Sequence, residues 1–392
     1  MRTHATPVAR PSSSFRRNTN ALLRPFLVLC ILLQISCVTQ NCDLETIYQR
    51  TSSDCDQEPC PPGSPKQGPG SGQSPHAAVD IVELNEGLFD SFRSVVYSPA
   101  SPSPKTAPVV LFLHGYFDAD PKPYENMLKH LARKGYIVIY PSYGNGLNPK
   151  AWPTNAEEAL KRALTHLKTE GKIIPDMTNV AYVGHSIGSV LALHLAEQQG
   201  ATSTPTLPQP KLIVVMDGAG IKSPAYPYIS IDDLSHIPRS TKLLLVMAEE
   251  TYQKRLKDKD FCVGNAQAPS KPCDGFAVNR QAFTKTAQIP SDHKTAVLII
   301  SDIRSEVGLR SEHNGAQGTC GFLGKKIDAI DTWGYWKYAV GALNQVFHNE
   351  PADFSYLNSE IFRASGFWSD GTPAKPALSL NTCFGSGDCP KL

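Results

Sequence analysis

The 392-residue sequence lacks several features that define other classes of protein. Its formal net charge is only +2, so no basic surplus favours nucleic acid as a partner. Its ten cysteines include no C-x-x-C pair, and no histidines cluster around them, which argues against a zinc site. No internal repeat is visible. The stretch PCPPGSPKQGPGSGQSP is not a phosphate loop, because no strand precedes it and no lysine-serine pair follows it. The sequence implies no metal and no organic cofactor.

The apolar run near the N-terminus is short for a membrane span. A basic leader precedes about eleven apolar residues, Pro25 to Ile35, which is the length of the hydrophobic region of a secretory signal. Residues 1–37 are therefore predicted to be a signal peptide or a lipoprotein signal, with an uncleaved anchor as the alternative. In a lipoprotein, Cys37 would be acylated and would tether the protein to a membrane. We expect a secreted or periplasmic protein, lipid-anchored if Cys37 is modified.

The remaining cysteines agree with export. Eight lie beyond the signal segment, and an even number suits a disulfide framework in an oxidising compartment. Two local spacings fit short loop closures, and we predict the bonds Cys262–Cys273 and Cys383–Cys389. The eight are Cys42, Cys55, Cys60, Cys262, Cys273, Cys320, Cys383 and Cys389.

The amino-acid composition of the chain changes near residue 78. Residues 38–77 are rich in Cys, Pro and Gly and are predicted to be a flexible linker. From 78 onward, apolar strands alternate with helical patterns. The first two strands are expected to be antiparallel, and TNAEEALKRALTHLKTEG reads as a helix opened by Thr154 and Glu157 at capping-box spacing. This order predicts an α/β fold, a mostly parallel central sheet with helices on both faces, over residues 78–392.

One strand-to-helix junction carries a possible nucleophile. In VAYVGHSIGSVLALHLAEQ, Ser186 stands between Gly184 and Gly188 in the pattern G-x-S-x-G. Such a turn is sharp enough to expose the serine at the carboxyl end of a strand, which is where ligands bind in parallel sheets. An ordinary turn that happens to contain serine is the alternative, so the rest of the chain must supply a base and an acid.

Several stretches together resemble a known family. VVLFLHGYF, YENMLKHLARKGYIVIYPSY, YVGHSIGS and VVMDGAG are similar to segments of chlorophyllase-like and polyester-hydrolase-like serine esterases of the α/β-hydrolase superfamily, over roughly residues 80 to 350. Plant chlorophyllases carry arginine after the serine, where this chain has Ile187. The resemblance implies an α/β-hydrolase catalytic domain that cleaves carboxylic esters. It does not favour chlorophyll as the particular ester.

The resemblance also implies the order nucleophile, acid, histidine. Serine needs a base to take its proton, and a carboxylate must orient that base. His313 follows a late strand by a polar loop and is the favoured base. His293 precedes the same strand and is the alternative.

Two residues, each at the end of a predicted strand, are candidates for the acid. Asp217 follows a buried strand, opens a glycine-containing turn and matches the acid position of the chlorophyllase-like branch, so we favour it. Glu250 lies one strand later, the commoner place in the superfamily, where Thr251 stands at the position of the expected aspartate.

The oxyanion hole requires two backbone N–H groups. The motif predicts Ile187, directly after the nucleophile, and Tyr116 from the HGYF loop, with Phe117 as the alternative to Tyr116. His114 in that loop is expected to be structural.

The predicted function is an exported ester hydrolase that acts through Ser186, His313 and Asp217 and an acyl-enzyme. A non-catalytic binding protein on the same scaffold and an acyltransferase are the alternatives. We expect a monomer with a small-molecule or lipid-like ester as its partner. Six aromatic residues are candidates for an apolar pocket, although we expect most to be core: Tyr143, Trp152, Phe276, Trp333, Tyr335 and Trp336.

Overall fold

The computed structural model describes residues 44–49, 58–85, 87, 90–144, 148–220, 231–257, 275–304, 307–318, 327–351 and 353–392. The predicted export segment, 1–37, lies outside these residues, and so do five of the cysteines: Cys42, Cys55, Cys262, Cys273 and Cys320. Within the described part of the chain, no helix combines the length and apolar character needed to cross a bilayer.

Nine strands form one sheet. In chain order the strands within the described residues are β1 (Ala78–Leu84), β2 (Ser94–Ala100), β3 (Thr106–Leu113), β4 (Ile137–Pro141), β5 (Ile174–His185), β6 (Leu212–Met216), β7 (Lys242–Ala248), β8 (Lys294–Ile299), β9 (Asp302–Arg304), β10 (Val307–Leu309) and β11 (Leu378–Ser379). The sheet order is β1-β2-β4-β3-β5-β6-β7-β8-β11, and β9 and β10 form a separate hairpin. The neighbours from β4 to β8 are parallel, whereas β1/β2, β2/β4 and β8/β11 are antiparallel. The mostly parallel sheet and its antiparallel opening pair are as predicted.

Helices cover both faces of the sheet. They are α1 (Leu44–Gln49), α2 (Glu125–Arg133), α3 (Trp152–Thr169), α4 (Ile187–Ala201), α5 (Glu249–Lys257), α6 (Gly275–Lys285), α7 (Trp336–His348), α8 (Glu360–Arg363) and α9 (Asn381–Ser386). Alternate residues of β3 face opposite cores. Val109, Leu111 and Leu113 join a cluster with α3, α4 and α6, whereas Val110 and Phe112 join a cluster with α2 and α7. A strand buried on both sides must be apolar throughout, and this explains the continuous run at 108–113.

Helix α3 buries its predicted stripe but begins earlier than expected. Its apolar positions are buried, yet the helix starts at Trp152 and carries Pro153 in its first turn. Thr154 therefore lies inside the helix and makes no cap, so the capping-box prediction is wrong. Proline suits the first helical turn because that turn has no use for its missing N–H.

The segment predicted to be a flexible linker makes specific contacts where it is described. The Oη of Tyr48 lies 2.5 Å from Nδ1 of His130, and the carbonyl oxygen of Pro69 lies 2.9 Å from Nε2 of the same histidine. Trp333 donates Nε1–H to the carbonyl of Gly63. A side chain at Gly70 would place Cβ 1.8 Å from the carbonyl oxygen of Thr332. Glycine in this segment therefore allows its backbone to approach the rest of the protein closely, in addition to making the segment flexible.

The structure confirms one of the two predicted disulfide bonds, near the C-terminus. Cys383 in α9 is bonded to Cys389, six residues later. Cys60 is also disulfide-bonded. The predicted Cys262–Cys273 bond lies outside the described residues and stays a prediction.

Candidate active site

The G-x-S-x-G turn joins β5 to α4 in the conformation that the motif predicts. Ser186 has φ 55° and ψ −124°, a left-handed backbone that a side chain rarely adopts. A Cβ at Gly188 would lie 2.2 Å from the carbonyl oxygen of Leu113, and one at Gly184 would lie 2.3 Å from that of Gly188. Both glycines are therefore required by close backbone contact, and the serine between them is held in a strained turn.

Hydrogen bonds fix the strained serine against the neighbouring strand. The Ser186 N–H donates to the carbonyl of Met216 at 3.0 Å, and its own carbonyl accepts from the N–H of Ala219 at 3.2 Å. Met216 ends β6, so the turn is bound to the loop that carries Asp217. The Ser186 side chain is half-buried at the carboxyl edge of the sheet.

Three predicted residues meet at this edge. The Oγ of Ser186 lies 2.9 Å from Nε2 of His313, and Nδ1 of His313 lies 2.9 Å from Oδ2 of Asp217. His313 opens a 3₁₀ turn, His313–Ala316, after the β9–β10 hairpin, and Asp217 follows β6 directly. The distances permit a continuous chain of hydrogen bonds from hydroxyl to imidazole to carboxylate.

Asp217 is fully buried, and each of its carboxylate oxygens has a donor. Oδ1 accepts from the N–H of Ala248 at 3.2 Å, while Oδ2 accepts from the hydroxyl of Thr251 at 2.8 Å as well as facing His313. Its backbone has φ 47°, so the chain turns sharply as it leaves β6. Thr251, at the position where the superfamily carries an acid, thus contributes a hydrogen bond to the carboxylate on the neighbouring strand.

Glu250 is hydrogen-bonded to the backbone of His313 rather than to its ring. Its Oε2 accepts from the backbone N–H of His313 at 2.8 Å, and its Oε1 lies 2.7 Å from Nζ of Lys254. Burial raises the pKa of Glu250, but the hydrogen bonds from Lys254 and His313 outweigh burial and leave the pKa below its ordinary value. This carboxylate therefore holds the loop of His313, while Asp217 holds its ring.

The charge on Asp217 also affects protonation of the histidine. Burial by itself lowers the pKa of His313, but the hydrogen bond and negative charge of Asp217 more than compensate and raise the pKa above its ordinary value. The His313 side chain is 28% exposed, and the Asp217 side chain is 0% exposed. An imidazolium formed next to this carboxylate is stabilised in a poorly hydrated site.

The alternative base, His293, lies elsewhere, and so does the late histidine His348. His293 ends a short 3₁₀ turn immediately before β8, at the amino edge of the sheet, and His348 ends α7. His185 is buried beneath the site. The loop after β8 is the one that reaches Ser186, because the carboxyl ends of parallel strands share one edge.

The predicted oxyanion residues also lie at this edge. Ile187 is the first residue of α4, where amide N–H groups have no carbonyl partner within the helix. Tyr116 follows β3, which pairs with β5 so that Leu113 lies opposite Gly184. Phe117 has φ 67° and is 68% exposed, with its ring 4.0 Å from that of Tyr116. The assignment of the oxyanion N–H groups stays a prediction.

The loop after β3 is fixed by buried aromatic residues. The ring of His114 stacks on Tyr143, with centroids 4.0 Å apart, and its Nδ1 lies 2.7 Å from the carbonyl oxygen of Gly115. Burial lowers the pKa of His114 to about 4, so it is neutral at physiological pH. These contacts agree with a structural role for His114.

Sequence reasoning missed a second group of polar residues under the site. Tyr124, Asp118 and Gln317 are joined by hydrogen bonds, and Tyr124 also contacts His185. Gln317 and Tyr124 are 193 positions apart. No local pattern connects such residues, so only the folded chain reveals the group.

Most of the candidate pocket aromatics belong to the core, as expected. Tyr143, Trp152, Tyr335 and Trp336 are at most 2% exposed, while Phe276 and Trp333 are partly buried against the clusters. Elsewhere, Glu197, Asp233 and His236 bring one ligand atom each within 4.8 Å of one another. Glu197 already accepts from two backbone N–H groups and lies against His236, so we assign no metal to it.

The chlorophyllase family model and a plant relative agree with the sequence resemblance. Chlorophyllase-1 of Arabidopsis thaliana is 27% identical over 205 residues, which cover 49% of this chain and 57% of that protein. Two crystal structures of esterase B from Lactobacillus rhamnosis, one of them inhibited, are each 16% identical, with TM-scores of 0.40 and 0.37. Each match covers 58% of this chain, and they cover 76% and 77% of those chains. The chlorophyllase family model matches residues 89–244, and this match confirms the predicted resemblance to the chlorophyllase-like branch of the α/β-hydrolases.

Proposed function

We propose that the protein is a carboxylic ester hydrolase of the serine type, with Ser186 as nucleophile, His313 as general base and Asp217 as the orienting acid. The observation that carries the proposal is the pair of 2.9 Å contacts that joins these three side chains. The strained turn at Ser186 and the order of the three residues along the chain support it. The family match over residues 89–244 is in line with the same chemistry.

The geometry suggests how the reaction would run. His313 takes the hydroxyl proton through Nε2 as Oγ of Ser186 attacks the ester carbonyl. The resulting oxyanion would accept hydrogen bonds from the N–H groups of Ile187 and Tyr116, and Ile187 adds the partial positive charge of the α4 N-terminus. The alcohol leaves with the proton from His313. Water then attacks the acyl-enzyme, with the same histidine as its base.

The substrate class that fits best is a small-molecule or lipid-like ester. Tyr116 and Phe117 present exposed aromatic rings next to the proposed oxyanion site, and such rings favour an apolar group on the ester. We further propose export as a monomer, and the Cys383–Cys389 bond supports an oxidising compartment. Tethering through Cys37 rests on the sequence of the leader.

The nucleophile is tested by chemical labelling and by substitution. A fluorophosphonate probe should label wild-type protein at Ser186, and Ser186→Ala should lose labelling and nearly all turnover of p-nitrophenyl butyrate, because triad losses are typically thousands-fold or more. Ser98→Ala is the matched control. Ser98 is also half-buried but lies on β2, away from the site, so that variant should behave as wild type.

Two outcomes would contradict the proposal. Retention of more than about a tenth of the activity in Ser186→Ala would exclude this serine as nucleophile. A folded wild-type protein that the probe does not label would instead favour a non-catalytic binding protein on this scaffold.

A further inference from the structure

A single buried hydroxyl lies between the two halves of the candidate site. The Oη of Tyr124 accepts from the N–H of Gly115 at 3.0 Å, one residue before the proposed oxyanion residue Tyr116. The same oxygen lies 2.7 Å from Nδ1 of His185. Tyr124 is fully buried at the N-cap of α2, so these contacts are shielded from water.

His185 extends the connection to the proposed base. Its Nε2 lies 2.8 Å from the backbone carbonyl oxygen of His313. A carbonyl can only accept, so Nε2 must carry the proton of this contact. In a neutral imidazole Nδ1 is then an acceptor, so the Tyr124 hydroxyl donates its single hydrogen bond to Nδ1. His185 is 1% exposed, and burial favours this neutral form.

Two further side chains close the connection. Nε2 of Gln317, in the segment after the His313 turn, donates to Oδ2 of Asp118 at 2.6 Å and to Oη of Tyr124 at 3.1 Å. Asp118 belongs to the loop after β3, and its Oδ2 lies 3.0 Å from the Tyr124 oxygen. Because the tyrosine proton is directed to His185, the amide of Gln317 supplies the hydrogen bond to this carboxylate. The loop that carries Tyr116 and the turn that carries His313 are therefore bound to the same tyrosine.

We propose that Tyr124 and His185 form a positioning bridge, which sets the proposed oxyanion loop and the backbone of His313 at a fixed separation around Ser186. The inference rests on the proposed function. Neither side chain needs to touch the substrate. Their effect comes through the positions of Gly115 and His313, because catalytic groups must be held to within about 0.5 Å and a 1 Å displacement can cost roughly a hundredfold in rate.

The bridge predicts a particular kinetic signature. Loosening the two loops should weaken stabilisation of the transition state more than binding of the ester. We therefore expect Tyr124→Phe to lower kcat by roughly 10- to 100-fold while KM changes less than about threefold. The phenylalanine ring preserves the packing against Phe112, whose ring centroid is 5.1 Å away, and removes only the oxygen.

The matched control is Tyr182→Phe. Tyr182 is also fully buried, and its hydroxyl donates a hydrogen bond to the carbonyl of Pro208 at 2.8 Å, which is not part of the bridge. Active-site titration with the fluorophosphonate gives the concentration of competent enzyme, so kcat is expressed per labelled site. Tyr182→Phe should lose some thermal stability and keep wild-type kcat.

A pair of substitutions at His185 gives a second, independent measurement. In His185→Gln the side-chain amide would retain a terminal N–H donor for the His313 carbonyl, whereas His185→Leu would remove it. The glutamine variant should therefore be at least about tenfold more active per labelled site than the leucine variant. The pair also decides the matter if Tyr124→Phe does not fold.

The outcomes separate the bridge from the proposed function. If wild-type enzyme is not labelled at Ser186, the proposed function fails. If wild-type is labelled and Tyr124→Phe keeps the kcat of Tyr182→Phe, or if His185→Gln is no more active than His185→Leu, the bridge is refuted and the function stands.

Discussion

Replacement of Asp217 by asparagine tests the assignment of the acid most directly. Both carboxylate oxygens of Asp217 act as acceptors, Oδ1 for the N–H of Ala248 and Oδ2 for Thr251 and His313. An asparagine must turn its NH₂ group toward one of these two sides. The hydroxyl of Thr251 can rotate to become an acceptor, but the backbone N–H of Ala248 cannot.

The expected loss follows from these contacts. Turning the NH₂ toward Ala248 sets two donors face to face, which costs about 1–3 kcal/mol, so the amide prefers to face His313. There it stabilises the tautomer with a protonated Nε2, which cannot take the proton of Ser186. This preference for the wrong tautomer lowers kcat roughly 10- to 100-fold. Loss of the charge-assisted hydrogen bond to the imidazolium lowers kcat by a similar factor. Together they predict a fall in kcat of roughly 10²- to 10⁴-fold, and the upper end of this range agrees with removal of the carboxylate in a serine triad.

The assay compares Asp217→Asn with Glu250→Gln. Hydrolysis of p-nitrophenyl butyrate is followed across pH. Each rate is divided by the concentration of folded enzyme, for which circular dichroism gives the folded fraction. Glu250→Gln should lose less than about tenfold in kcat, because the amide oxygen of glutamine can still accept from the backbone N–H of His313.

The reverse order of losses would refute the reasoning. A loss of more than about 10³-fold in Glu250→Gln, together with a loss under about tenfold in Asp217→Asn, would move the acid to the next strand. The 2.9 Å contact between His313 and Asp217 would then be structural.

Two further predictions concern protonation and covalent bonding. His313 must be neutral to act as base, so activity falls as pH drops through its raised pKa. Lys254 lowers that pKa, so Lys254→Met should move the acid limb of kcat/KM to higher pH at low salt, and an unchanged profile would contradict the charge effect. Non-reducing peptide mapping should recover the Cys383–Cys389 and Cys262–Cys273 linkages, the first closing a loop worth about 2 kcal/mol in the chain-entropy account; free thiols at these four positions would contradict export.

The sequence alone predicted the features that depend on local spacing. The apolar run of β3 required a strand buried on both faces, and the structure places its residues in two opposite cores. The position of Ser186 between two glycines required a sharp turn, and the structure gives it φ 55°. These properties are decided by neighbours a few residues away, so a short stretch of sequence contains the information.

Helix boundaries and the packing of polar segments against the domain were harder to predict from the sequence. Thr154 has the spacing of a helix cap, but Pro153 suits an earlier start, and the two local signals compete. The segment before β1 has the composition of a linker, yet His130 binds both Tyr48 and the carbonyl of Pro69. Composition describes what a segment can do alone, and it does not include the side chains that another element offers to it.

The sequence by itself determined the sharp turn at Ser186, the order of the elements and the short list of candidate acids and bases, because each depends on residues adjacent along the chain. Only the tertiary structure decided between Asp217 and Glu250 as the neighbour of the imidazole ring. Both acids follow parallel strands at the same edge, and the choice depends on a few ångströms set by the loop that carries His313. The contact between Tyr124 and His185 joins residues 61 positions apart, and packing of the sheet and helices alone brings such groups together.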